Sequence, residues 1–325
     1  MIHPTSIPSP DVSFIQLGPF TIHFYALCIL AGIIAAAFIT NARMTRRGAE
    51  SGLIIDLMLW VVPFGIVGAR IFHVLTHPDD YFYPGADLLR TLYIWEGGIA
   101  IFGALIGGGI GAWIGCRVLK LRFSVFADAL APGMLVAQAF GRFGNWFNQE
   151  LYGLPTDLPW GLEIDASNPA FPVGLPADTL FHPTFLYEVI WNLLGAAVII
   201  AIGRRFTLQW GRQFALYLIW YGAGRVVWES IRIDPSEVFL GLRVNVWAAL
   251  IAVVVGIVIF FAQKSRHPGL MPSPYLPERN TAETDGELDS DSPDSLYVDL
   301  SDDADGVDDR GESAATSTRD SVTRA

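Results

Sequence analysis

Across 325 residues the chain is 52% hydrophobic and only 16% charged, with a mean hydropathy of +0.41. That balance excludes an ordinary soluble domain and predicts a polytopic membrane protein. Net charge is −11, yet 15 of the 32 acids and only 4 of the 21 bases lie from Leu276 onward, leaving 17 of each sign elsewhere. The body is therefore neutral, and no nucleic-acid partner is expected.

About seven apolar runs are long enough to cross a hydrocarbon core, and each must be helical there because lipid offers the backbone no hydrogen bonds. In chain order they are Phe20–Thr40, Leu53–Thr76, Ile94–Cys116, Ser124–Phe147, Pro183–Gly203, Gly211–Ser230 and Val244–Ala262. The third holds Gly103, Gly107, Gly111 and Gly115, a ridge at four-residue spacing that predicts close approach by another helix. The expected fold is an all-α integral membrane protein. Residues 1–19 form an outer segment and 20–264 the membrane domain, with an extracytoplasmic lobe over 148–182. Residues 265–325 are expected to be a cytoplasmic, disordered acidic tail. Cys28 and Cys116 sit in apolar runs, without disulfide or metal-ligand spacing.

Loop charges orient the chain. Arg43, Arg46 and Arg47 follow the first run, and Arg117, Lys120 and Arg122 the third. Arg204, Arg205 and Arg212 follow the fifth, and Lys264 and Arg266 the seventh. The N-terminal stretch and the segment 148–182 have no Lys or Arg. The positive-inside rule then places the N-terminus outside and the tail in the cytoplasm.

With that orientation most costly polar groups fall at one depth, in the outer half of the bilayer. Arg70, Arg142 and Arg225 lie near the outer ends of their spans, and His23, Tyr25, Glu96, Tyr187 and Glu188 near outer starts. Asp56 and Asp128 are the exceptions, read as acids at helix N-termini. A buried charge in lipid faces a partner or a cavity. One reading has the arginines pair with Glu150, Glu188 and Glu229 and simply fasten helices. The other has them build an anion site.

Helical spacing puts Arg142, Asn145 and Gln149 on one stripe and Phe140, Phe143 and Phe147 on a neighbouring one. Tyr221, Arg225, Glu229 and Arg232 share another face. Guanidinium forks match phosphate oxygens, and apolar walls around them point to a phospholipid headgroup.

The stretch GRFGNWFNQELYG (141–153) resembles the signature of the prolipoprotein diacylglyceryl transferase family. Further blocks match in order: IHFYAL, GARIFHV, WEGGIAIFGALIGG, HPTFLYE and YGAGRVVWESIR. The resemblance covers residues 20–262 and leaves out the tail. It implies a transferase of the bacterial cytoplasmic membrane working at the outer leaflet, with phosphatidylglycerol and the lipobox cysteine of a prolipoprotein signal peptide as substrates. The products would be a thioether and glycerol 1-phosphate, and no metal or other cofactor is implied. By position, Arg142 would hold the phosphate, with Asn145, Asn148, Glu150 and Gly153 in the same signature. Arg225 would be the second essential arginine and Tyr25 a functional tyrosine. The helical faces and the common depth, rather than the resemblance, place Tyr221 and Arg232 beside the lipid and Arg70, Glu188 and Glu229 in support.

One departure stands out. Where the family commonly has a histidine, proposed as base, this chain has Phe102. A phenyl ring takes no proton, so either His23, Tyr25 or His182 serves, or no dedicated base is needed because a thiol of pKa about 8.5 is already partly ionised. Two other classes stay open at this stage. A transporter would carry polar groups through the full depth, and a scaffold would gain nothing from clustered arginines.

Overall fold

A computed structural model describes residues 6–279. Among them seven long helices carry the fold: α1 (Phe24–Arg46), α2 (Leu53–Thr76), α3 (Ile101–Val118), α4 (Phe123–Phe147), α5 (Thr184–Arg205), α6 (Arg212–Ile231) and α7 (Val244–Arg266). The strands form three short hairpin-like pairs: β1 (Phe14–Leu17) with β2 (Phe20–His23), β3 (Leu162–Glu163) with β4 (Leu180–Phe181), and β5 (Val238–Phe239) with β6 (Leu242–Arg243). Six of the helices are long and apolar enough to cross a membrane unaided. The exception is α6, which carries Arg212, Arg225 and Glu229 and instead packs against α4, α5 and α7. Its polar face meets protein rather than lipid, so the cost of burying it falls on designed partners.

The helices alternate in direction. Ile7 bridges to Leu162, Trp146 Nε1 at the end of α4 donates to Pro8 O (3.1 Å), and Gly153 bridges to Arg232 after α6. These contacts gather one set of ends beneath the segment 148–182, the lobe end. At the other end Arg47 faces Asp128 (3.6 Å), and the chain after α7 lies on Leu121 and Arg122.

Three boundaries differ from the sequence expectation. Phe20–His23 is a strand paired with Phe14–Leu17 through a turn at Gly18 (φ 60°), so the first helix starts at Phe24. Ile94–Glu96 is a single 3-10 turn, and Gly97 (φ 89°) and Gly98 (φ 70°) break the path, so the third helix starts at Ile101. Residues 267–279, assigned above to the tail, form a strap across the far end. Met271 is buried beside Val125 and Trp210, and Arg122 N–H donates to Pro274 O (2.9 Å). Burial of Met271 and the packing of Tyr275 against the Leu121 cluster explain why the segment is held. The acidic stretch from residue 280 lies outside the described residues.

Helix α4 is the centre of the bundle, buried over 56% of its most apolar stretch against 11% for α1 and α7. Its composition explains this: Ala127, Ala129, Ala131, Gly133 and Ala139 give it a thin profile that neighbours can approach. The glycine ridge of α3 does the same for α2, since a Cβ at Gly111 would lie 2.5 Å from Trp60 O and one at Gly107 would strike Phe64 O. Asp128 corrects the sequence reading. It caps not its own helix but α6, accepting from the backbone N–H of Gly211 (2.9 Å), Gln213 (2.8 Å) and Phe214 (3.0 Å). That tie sets the height of α6 against α4, and the height matters at the opposite end.

Candidate functional site

The rotation of α5 against α6 is set by two exchanged indoles. Trp191 Nε1 donates to Trp220 O (3.2 Å), Trp220 Nε1 donates to Trp191 O (3.1 Å), and the rings stack at 4.5 Å. Gly195 and Gly224 leave the room, since a Cβ at either would collide with the opposing indole. Glu188 lies one turn before Trp191 and Arg225 directly follows Gly224, so this lock aims both side chains.

Around them a buried polar cluster forms at the lobe end. Arg142 Nη2 meets Glu188 Oε2 at 2.8 Å, and Nη1 donates to Asn145 Oδ1 at 3.3 Å. Arg225 Nη2 meets Glu229 Oε2 at 2.8 Å, with Arg232 at 3.6 Å from the same oxygen. Arg142, Tyr221, Glu229 and Arg232 all lie within electrostatic reach of Arg225, and Glu188 within reach of Arg232. The two arginines from α4 and α6 therefore belong to one cluster, although each already has a carboxylate. The pairing leaves a free edge: Arg225 Nη1 is buried with no hydrogen-bond partner among the described residues, as are Trp228 Nε1 and Gln138 Oε1. A donor on a charged group left unpaired in a dry site is costly unless something fills it, and an oxyanion fits.

The remaining signature residues shape the wall. Among the described residues Glu150 pairs with no arginine; its Oε1 accepts from Asn145 Nδ2 (2.9 Å) and Asn148 Nδ2 (3.3 Å). Gly153 is enclosed, since a Cβ there would sit 2.8 Å from His182 Cβ and 3.1 Å from Ile231 O. It fastens the lobe to the end of α6 and offers a ligand little. Tyr25 of α1 lays its ring on Gly144, where a Cβ would strike it, and so stands beside the helix of Arg142.

Two expectations are corrected. Gln149 leaves the Arg142–Asn145 stripe because α4 stops at Phe147, with Glu150 N–H bonded to Asn145 O (3.1 Å) and Gln149 in the left-handed region (φ 50°). Its amide instead organises the lobe, donating to Pro10 O (3.0 Å) and accepting from Asp165 N–H (2.8 Å). Arg70 is not among the clustered arginines. It clasps the segment before α3, donating to the carbonyls of Thr91 (2.8 Å), Gly97 (2.7 Å), Gly98 (2.9 Å) and Arg90 (2.5 Å), beneath Tyr81. Depth along a helix does not say which way a side chain turns.

Sequence reasoning missed Arg243, Asn245 and Asp234. Arg243 Nη1 and Asn245 Nδ2 reach Glu229 Oε1 at 3.2 and 3.1 Å, and Asp234 grips Arg232 through two bonds of 2.7 Å. The available signal was that Arg243 and Asn245 open an apolar helix, where a polar start needs a partner. Of the possible bases, His23 sits at the end of an exposed hairpin and His182 Nδ1 lies 3.3 Å from Tyr187 Oη. Phe102 packs towards Phe72, with ring centroids 6.2 Å apart.

Fold and cluster together define a polytopic membrane protein with an arginine-built polar site, enclosed by helices beneath a lobe. Residues 12–262 match the family model described as prolipoprotein diacylglyceryl transferase, and the chain belongs to that family. It is 58% identical over 296 residues to the phosphatidylglycerol–prolipoprotein diacylglyceryl transferase of Leifsonia xyli subsp. xyli, covering 88% of this chain and 89% of that one. Identity is 48% to transferase 2 of that name from Streptomyces coelicolor, over 81% of this chain and 83% of the relative. A protein of the same name from Bifidobacterium longum is 50% identical, over 78% and 84% respectively.

Proposed function

We propose that the chain moves the sn-1,2-diacylglyceryl unit of phosphatidylglycerol to the lipobox cysteine thiol of a prolipoprotein, the first step of lipoprotein maturation. Family membership carries the activity. The observation that carries the site is the unpaired edge of Arg225 beside Arg142. The lobe end is assigned to the outer face of the bacterial cytoplasmic membrane, with the N-terminus outside and the C-terminus in the cytoplasm. This rests on the arginines and lysines that follow α1, α3, α5 and α7 at the opposite end.

The reaction is a displacement at carbon. The cysteine sulfur bonds to the glyceryl carbon that carries the phosphate, and that carbon–oxygen bond breaks with its electrons going to oxygen. Glycerol 1-phosphate leaves as a monoester, and the thiol proton goes to solvent. The leaving phosphate gains charge as the bond breaks, so Arg142 and Arg225 bind the transition state better than the donor, and this differential lowers the barrier. The carboxylates of Glu188 and Glu229 hold both forks in place before the lipid arrives, which limits the reorganisation needed. Asn145 and Asn148 are held by Glu150, and Tyr25 offers a phenol from the α1 side. Arg232 and Tyr221 complete the phosphate's surroundings.

The peptide is assigned to the lobe. A cleft of about 590 Å³, lined by Tyr152, Pro155, Pro172, Leu175 and Ile233, shares Asp234 with the arginine cluster. An apolar groove suits an extended, small-residue peptide and opens beside the reacting groups. Purified protein mixed with phosphatidylglycerol vesicles and a lipobox peptide tests the activity. A lipid-dependent mass gain of one diacylglyceryl unit on the cysteine is expected; solute flux across liposomes without that gain would refute the assignment.

A further inference from the structure

Gln138 lies outside the arginine cluster and its carboxylate partners. It lies one turn before Arg142 on α4, about 6 Å further from the lobe end. Its amide meets the Tyr217 hydroxyl of α6 at 2.9 Å, and the other amide atom is buried without a partner among the described residues. Tyr217 stacks on Tyr221 (5.9 Å), and Tyr221 lies one turn from Arg225. The faces of α4 and α6 that carry the arginines therefore continue towards the bilayer centre and close at the Gln138–Tyr217 contact.

A hydroxyl both donates and accepts, so either orientation of the amide satisfies Tyr217. With Nε2 on the hydroxyl, Oε1 is stranded; with Oε1 accepting from the hydroxyl, Nε2 is a stranded donor. Resting on the phosphate site proposed above, we infer that Gln138 Nε2 donates to an acyl ester carbonyl of the diacylglyceryl donor while Oε1 accepts from Tyr217. The chemistry matches the depth. In a glycerophospholipid the ester carbonyls hang from the glyceryl carbons adjoining the phosphate, on the side towards the hydrocarbon. A phosphate between Arg142 and Arg225 brings them down to the level of Gln138. The bond would hold the glyceryl unit against rotation, and so fix the carbon that meets the thiolate. Gln138 is thereby a specificity residue that reads the ester linkage, which the arginines cannot do.

The test compares ester-linked phosphatidylglycerol with its ether-linked analogue of equal chain length, competing in the same vesicles with a lipobox peptide. The ratio of the two products by mass gives the ratio of kcat/KM. Wild type is expected to favour the ester about tenfold, the worth of one hydrogen bond in a dry site. Gln138→Leu and Gln138→Met should bring the ratio close to one. A wild-type ratio near one overturns the inference and needs no variant, so misfolding cannot obscure it. A preference that survives both substitutions overturns it too, because the carbonyl is then read elsewhere. Transfer that ignores the linkage yet collapses in Arg225→Lys would sink this inference alone and leave the phosphate site standing. Absence of transfer from either donor would overturn both.

Discussion

Replacing Arg225 by lysine separates fastening from catalysis. In the native cluster Nη2 of Arg225 holds Glu229 at 2.8 Å while Nη1 stays buried with no hydrogen-bond partner among the described residues. A lysine ammonium can still reach Glu229, which also keeps Arg243 at 3.2 Å and Asn245 at 3.1 Å, so no carboxylate is stranded. The structural loss should be about 1 kcal/mol, a shift of roughly 2–4 °C in Tm for a domain of this size. The ligand loses more, because a point charge cannot grip two oxygens at once. One charge-assisted hydrogen bond is worth about 1.5–3 kcal/mol, and a donor aimed at transition-state charge typically about 100- to 1000-fold in rate. Initial rates with phosphatidylglycerol and lipobox peptide should therefore fall about 100-fold in kcat, while thermal unfolding followed by circular dichroism barely moves. Turnover within threefold of wild type would refute the electrostatic argument. So would a fall in rate matched by an equal fall in stability, since Arg225 would then only fasten helices.

Four further outcomes are expected. Gly107→Ala puts a methyl group against the Phe64 carbonyl and should cost about 1–3 kcal/mol by overpacking, seen as a lower Tm in detergent with unchanged activity per folded molecule. With Phe102 at the usual histidine position, kcat/KM should rise tenfold per pH unit until the peptide thiol ionises near pH 8.5. Phe102→His should add activity below pH 7 if proton removal limits the native enzyme, and an unchanged profile would mean that it does not. Leu175→Arg, at a cleft wall 37% exposed, should raise KM for the peptide several-fold and leave KM for the lipid alone; equal changes in both would remove the lobe from peptide binding.

The helices themselves were legible because lipid imposes one rule on every backbone amide and apolar runs of fixed length obey it. The α3 glycine ridge and the family followed from spacing and motif, whereas pairing with carboxylates stood as one of two readings and holds for Arg142 and Arg225 but not for Arg70. Periodicity failed where a helix ended unseen. Gln149 continues the Arg142 stripe on paper, but the chain turns left-handed there and hands its amide to the lobe. It failed again at Arg70, whose depth suggested the cluster and whose partners are four carbonyls in the segment before α3. The strap over Met271 went unread because a short proline-rich segment with neither helical nor strand periodicity gives no hint that a neighbouring surface exists to receive it. Local sequence thus determined which segments cross and which groups are costly to bury. Only the packing of α4, α5 and α6 decided which of those groups meet, because the direction of a side chain depends on helix rotation, and indoles and caps far along the chain set that rotation.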